Sequence, residues 1–255
     1  MNAPTPGVFV SDGTYTTAFP PQSLANAGFF VLMAEYVLRD DLVPKEFPGQ
    51  LGEAYDYMAM IESAVTALSE RRLVEPTKIG IIGFSRTSWK VDFTLTHSDL
   101  KFAAASSADS GLYNYGSYWL GNRQDTASAA ETMLDGPPYG ESFQNWLKYA
   151  PAFNAQRVQT PLLMEYVGFG DQPSGPTHAY EFFSALSRQG KPVELYFYPK
   201  GEHPLDTPYE RVASLQRNVD WFRFWIQGLE GAPPTYDSEQ YVRWRALRKS
   251  FEKTK

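Results

Sequence analysis

"IGIIGFSRTSW", residues 79–89, sets one serine between an apolar run and a polar one. The run 78–84, KIGIIGF, is too short for a buried helix and apolar almost throughout, which suits a strand covered on both faces. A strand, then Gly83-Phe84-Ser85-Arg86-Thr87, then a helix, is the setting of a nucleophile elbow, in which a tight turn lifts the serine oxygen above the sheet. The amide of Arg86, at the start of the new helix, then faces the place where an oxyanion would form. Gly83 meets the need for a small residue at the turn. Thr87 does not, because glycine at that position normally lets helix and strand approach closely. The competing reading of Ser85 is a surface hydroxyl in an ordinary turn.

Similar short apolar runs recur outward from this point: GFFVLMAEY (28–36), FAAASSA (102–108), PLLMEYV (161–167) and VELYFYP (193–199). Helical patterns lie between them. The stretch 51–72 puts Tyr55, Met58, Ile61, Val65 and Leu68 on one side at 3.6-residue spacing. Residues 175–192 repeat Tyr180, Phe183 and Leu186 and stop at Gly190 and Pro192. Near the C-terminus, Trp221, Phe222, Trp225 and Leu229 are expected to pack on a sheet. Strand and helix in alternation predict an α/β fold, a mostly parallel sheet with helices on both faces. A chain of 255 residues fits one such domain, 1–255.

Residues 109–151 break the pattern, with Tyr113, Tyr115, Tyr118, Trp119, Phe143 and Trp146 at no clean period. The segment follows a strand, at the carboxyl edge where open α/β sheets bind ligands. Tyr113, Tyr115 and Trp119 are therefore expected as a substrate-pocket wall, against the plainer reading of an excursion that buries its rings.

The formal net charge of -6 argues against a nucleic-acid partner, which needs clustered cations. Zero cysteines exclude disulfides and thiolate chemistry. No apolar stretch is long enough for a membrane helix, and the opening residues lack the form of a secretory signal, so the chain as written is expected in the cytoplasm. The final basic run, Arg243, Arg245, Arg248 and Lys249, reads as a solvated helix face.

A nucleophilic serine needs a base, and the chain has three histidines. His97 follows Ser85 on the same expected helix, roughly 18 Å along it, too far to serve. His178 opens a helix, where a local capping or surface role fits. His203 lies in a loop just after a strand, at the edge where Ser85 sits. The acid should fall between serine and histidine in chain order. Asp171, in a Gly-Pro-rich loop after a strand, is the better placed; Glu165, earlier on that strand, is the rival and also fits a buried structural acid.

GIIGFSRTSW (80–89), the VGFGD loop (167–171) and FFSALSRQGKPVELYFYPKGEH (182–203) together resemble the catalytic domain of the prolyl oligopeptidase family of serine peptidases. The likeness runs from about Phe19 to about Gly228. It implies an α/β-hydrolase fold, Ser85 as nucleophile, Asp171 as acid, His203 as base, a short peptide or ester as substrate, and no cofactor or metal. Thr87 and Ser88 replace the glycines usual after the nucleophile. The family's β-propeller is not present, and neither is the stretch that supplies the second oxyanion donor. Tyr15 or a nearby amide is the expected substitute beside the Arg86 N–H, and a chain truncated from a longer protein is consistent with the gap. Carboxylesterase chemistry and a non-catalytic module that keeps the fold are the alternatives.

Overall fold

The computed structural model describes residues 21–34, 47–110, 113–120, 124–168, 175–231 and 238–253. Its elements run α1 (Pro21–Asn26), α2 (Leu51–Glu70), β1 (Gly80–Phe84), α3 (Arg86–His97), β2 (Ala104–Ala108), α4 (Tyr115–Leu120), α5 (Gln124–Leu134), α6 (Phe143–Tyr149), β3 (Leu162–Val167), α7 (Gly175–Ser187), β4 (Val193–Tyr198), α8 (Pro208–Phe222) and α9 (Glu239–Glu252). Among the described residues, four strands form one parallel sheet in the order β1-β2-β3-β4.

Sequential order in a parallel sheet makes every crossover turn the same way, so the connecting helices gather on one face. That face holds Val91 and Leu95 of α3 and Phe182 and Leu186 of α7, packed on Ile81, Ala105, Met164 and Tyr166. The chain must then pass round the sheet to cover the other face. It does so with α8 and α9, whose Trp221, Phe222 and Trp244 pack with Ala104 and Leu163. Burial on both sides explains why the strand runs carry so little polar alternation.

The expected strand at 28–36 is not one through residue 34; the rest lies outside the described residues. Phe29 and Val31 pack on the α8 face while Phe30 and Leu32 are exposed, so the segment alternates like a strand with no ladder partner among the described residues. Leu229, expected on the sheet, is exposed: a left-handed Gly228 ends the π-helical turn Arg223–Gln227 before it and turns the chain away.

The excursion between β2 and β3 forms a third apolar cluster against α2 and α3. Trp89 and Phe93 of α3 meet Tyr113, Met133, Leu134 and Trp146 there. Most of the aromatic excess is thus ordinary core.

Candidate active site

Ser85 stands between β1 and α3 at φ 57°, ψ -131°, a left-handed backbone that an L-residue holds only under strain. Its amide bonds to Ala108 O on the neighbouring strand at 2.9 Å, which fixes the turn to the sheet. This is the strand, strained turn and helix expected of the elbow. A Cβ on Gly83 would lie 2.8 Å from Val91 Cγ2 and 2.9 Å from Ser88 backbone atoms, so α3 approaches β1 closely because residue 83 is glycine. The tight contact falls on Ser88 rather than Thr87, which is half-buried and does not have to yield. Ser88 is fully buried, and its hydroxyl donates to Ser85 O at 2.6 Å or to Ala108 O at 2.7 Å, replacing a glycine with a polar brace.

His203, in the loop after β4, stacks its ring on Phe84 with centroids 4.6 Å apart. Its Nε2 is 2.9 Å from Ser85 Oγ. Its Nδ1 is 2.9 Å from Oδ2 of Asp109. Asp109 follows β2 at φ 54° and is buried; its Oδ1 accepts the Val167 N–H at 2.9 Å, and its own N–H donates to Glu165 O at 2.9 Å. One main-chain amide and one imidazole therefore set this carboxylate, and the bond to Glu165 O holds its backbone. The expected acid, Asp171, lies outside the described residues, as does Tyr15. In the sequence, Asp109 stands only as the start of the aromatic segment. The signal that points to it is its place as the first residue beyond the strand that neighbours β1, the strand leading into Ser85.

Glu165 points away from this site. Buried on the α8 face, it accepts from Ser214 Oγ and Asn218 Nδ2 at 2.7 Å, Tyr198 OH at 2.9 Å and Arg217 Nη1 at 3.3 Å. Burial raises its pKa, with Arg217 chief among the groups that oppose the shift. His97 is half-buried away from this site, stacked on Phe93 at 4.0 Å and bonded to Phe93 O at 3.0 Å, with burial lowering its pKa.

The three expected pocket residues lie in the same aromatic excursion but differ in burial. Tyr113 is buried edge-on to Trp89 at 5.2 Å. Tyr115 helps to line a cavity of about 470 Å³ with Gly116, Ala152, Phe153, Tyr180 and Glu181, and Ser85 and His203 do not border it. Trp119 is half exposed and edge-on to Tyr115 at 6.2 Å. Arg86, the expected oxyanion donor, begins α3 beside Ser85.

A second buried carboxyl lies behind Asp109. Asp92 of α3 accepts from Ser110 Oγ at 2.5 Å, and Ser110 Oγ is 2.5 Å from Tyr166 OH. Burial lifts Asp92 from its ordinary 3.8 to about 7, against smaller lowering effects of Ser110 and Ser107. A folded-state pKa above the unfolded value means that the native protein binds the extra proton between about pH 4 and 7, and stability falls as pH rises through that window. The slope from this one group is at most about 1.4 kcal/mol per pH unit. Asp92→Asn should flatten the stability-pH curve relative to wild type in urea melts from pH 4 to 8; an unchanged slope would refute the assignment.

Comparison with known proteins bears on the same region. The model of the prolyl oligopeptidase family, Peptidase_S9, matches residues 51–228. The chain belongs to this family. It is 30% identical over 255 residues to the lasso peptide isopeptidase AtxE2 of Asticcacaulis excentricus, covering 92% of this chain and 34% of that protein. It is 21% identical over 184 residues to the acylamino-acid-releasing enzyme of Arabidopsis thaliana, covering 70% of this chain and 23% of that one. The chain thus spans about a third or less of these curated relatives. Among solved structures, an AtxE2 isopeptidase variant with Astexin3-dC4 bound matches with a TM-score of 0.65 and 28% identity, over 77% of this chain and 29% of that one. The acylaminoacyl peptidase of Pyrococcus horikoshii matches in fold, with a TM-score of 0.57 and 22% identity over 71% of this chain and 29% of that one. The fold is that of the α/β-hydrolase peptidases of this family. No helix among the described residues is long and apolar enough to cross a membrane.

Proposed function

We propose that the chain is the catalytic part of a serine hydrolase that cleaves peptide bonds through an acyl-enzyme on Ser85. The observation that carries this reading is the run of two 2.9 Å contacts, Ser85 Oγ to His203 Nε2 and His203 Nδ1 to Asp109 Oδ2. Ser85 Oγ attacks the scissile carbonyl carbon while its proton passes to Nε2; the amine leaves with that proton. Water then attacks the acyl carbon, giving a proton to His203; the bond to Oγ breaks, Ser85 Oγ takes that proton back, and the carboxylic acid is released. Asp109 holds the Nδ1–H tautomer and stabilises the imidazolium. The family, and likeness to an isopeptidase, favour a peptide over an ester, and both would pass through the same acylated serine.

An alkyl fluorophosphonate tests the first step, since only an activated serine reacts at a useful rate. Labelling of Ser85, abolished in His203→Ala, is expected; no labelling would leave the fold with a binding role. The oxyanion hole gives a second measurement. Arg86 N–H is one donor and Tyr15 the proposed other. Loss of one such donor typically costs about 100- to 1,000-fold in kcat. Tyr15→Phe should therefore depress hydrolysis of short peptide amides by about that factor and of p-nitrophenyl acetate by much less, because the activated ester leans less on the tetrahedral intermediate. Equal rates in wild type and Tyr15→Phe on peptide amides would assign the second donor elsewhere.

A further inference from the structure

Arg86 contributes more than an amide. Its Nη2 donates to Gln50 Oε1 at 2.8 Å and to Glu53 Oε2, both at the start of α2. Glu53 accepts on its other oxygen, Oε1, from Lys90 Nζ, one turn further along α3. One carboxylate therefore serves two cations, and the trio is left with an excess of positive charge. Its members differ sharply in access: the side chains of Glu53 and Lys90 are 8% and 5% exposed, that of Arg86 43%. Burial lowers the Lys90 pKa, Glu53 draws it back, and Asp56 adds a weaker attraction to Lys90. Tyr113 is buried beside the group, within electrostatic reach of Arg86 and Glu53.

The guanidinium is thus fixed through Nη2, on a side chain that is partly exposed. Nη1 makes no bond among the described residues, and the buried Nε has no acceptor among them. Nη1 is therefore the part of the guanidinium left to pair with an anion. Arginine held on one side by a carboxylate and presenting free N–H groups suits a carboxylate ligand.

We infer that the Arg86 side chain selects substrates carrying a carboxylate next to the scissile bond, the residue's place directly after Ser85 setting that distance. The inference rests on Ser85 being the nucleophile. Two sources of carboxylate fit: an acidic side chain on the residue that supplies the scissile carbonyl, or the free terminus of a single residue beyond the bond.

The test measures kcat/KM for two matched peptide pairs, Glu against Gln before the bond, and free acid against amide after it. The same peptides are assayed for protection of Ser85 from fluorophosphonate, which needs no turnover. The wild type should favour the carboxylate member of one pair by about 10- to 100-fold, mostly through KM, and the ratio should shrink as salt is raised. Arg86→Gln should bring that ratio close to one and Arg86→Lys should restore part of it. Because the readout is a ratio within a pair, a general loss of activity cancels. A wild-type ratio near one in both pairs, or a ratio unchanged in Arg86→Gln, overturns the inference. Failure of Ser85 to label in the wild type is a separate result, and overturns the functional reading instead.

Discussion

Replacing Ser85 by alanine should lower kcat for peptide hydrolysis by roughly 10,000- to 1,000,000-fold, and His203→Ala should do much the same. The double variant should be little worse than either. The reason lies in the 2.9 Å contact between Ser85 Oγ and His203 Nε2. With no base, the hydroxyl keeps its proton; with no hydroxyl, the base has nothing to activate, so the second deletion removes nothing that still works. Both side chains are half-buried, on a strained turn and in a loop rather than deep in the core, so thermal midpoints should change little. Ser85→Ala even keeps its backbone φ of 57°, which alanine bears no better than serine. Losses that multiplied fully in the double variant would mean that the two residues act independently and that the contact has no catalytic meaning.

The elbow and the histidine were legible in the sequence because each depends on local order. A short apolar strand ending in Gly-Phe-Ser before a helical pattern constrains Ser85 within a few residues, and a histidine just beyond a strand lands at the same edge by topology alone. The four strands that frame the site were readable for the same reason: burial on both faces leaves continuous apolar runs. Asp109 was not legible because its place beside His203 is made by pairing between strands. The register of Ala108 opposite Glu165 brings the Glu165 carbonyl and the Val167 amide to it, and a positive φ turns its carboxylate to His203. Nothing in the stretch ASSADSG announces either fact. Chain order admitted Asp109 as well as Asp171, since both lie between Ser85 and His203. The surroundings of the aromatic residues were hidden for a related reason. Ring content favours burial of aromatic residues, but which ones line a cavity depends on how α4 to α6 pack, and that buries Tyr113, sets Tyr115 at the cavity and leaves Trp119 half exposed.

The acid is therefore the assignment on which sequence likeness and geometry part, and one pair of substitutions separates them. Asp109→Asn should reduce kcat by on the order of 10,000-fold with little change in KM. Both oxygens of Asp109 are engaged: Oδ1 takes the Val167 N–H at 2.9 Å and Oδ2 faces His203 Nδ1 at 2.9 Å. Asparagine can keep the first bond only through its carbonyl oxygen, which turns its NH2 group toward the ring. Nδ1 must then accept, the proton moves to Nε2, and the imidazole can no longer take the proton of Ser85. The change is nearly isosteric, so a thermal midpoint close to wild type would assign the loss to the tautomer rather than to folding. Asp171→Asn should cost less than tenfold, because the Nδ1 position is already filled. The opposite ranking, a collapse in Asp171→Asn with Asp109→Asn nearly intact, would return the acid to Asp171 and reduce Asp109 to a brace between β2 and β3. Comparable collapse in both would mean that the two carboxylates share the charge of the imidazolium, and would also reject Asp109 as the sole partner of His203.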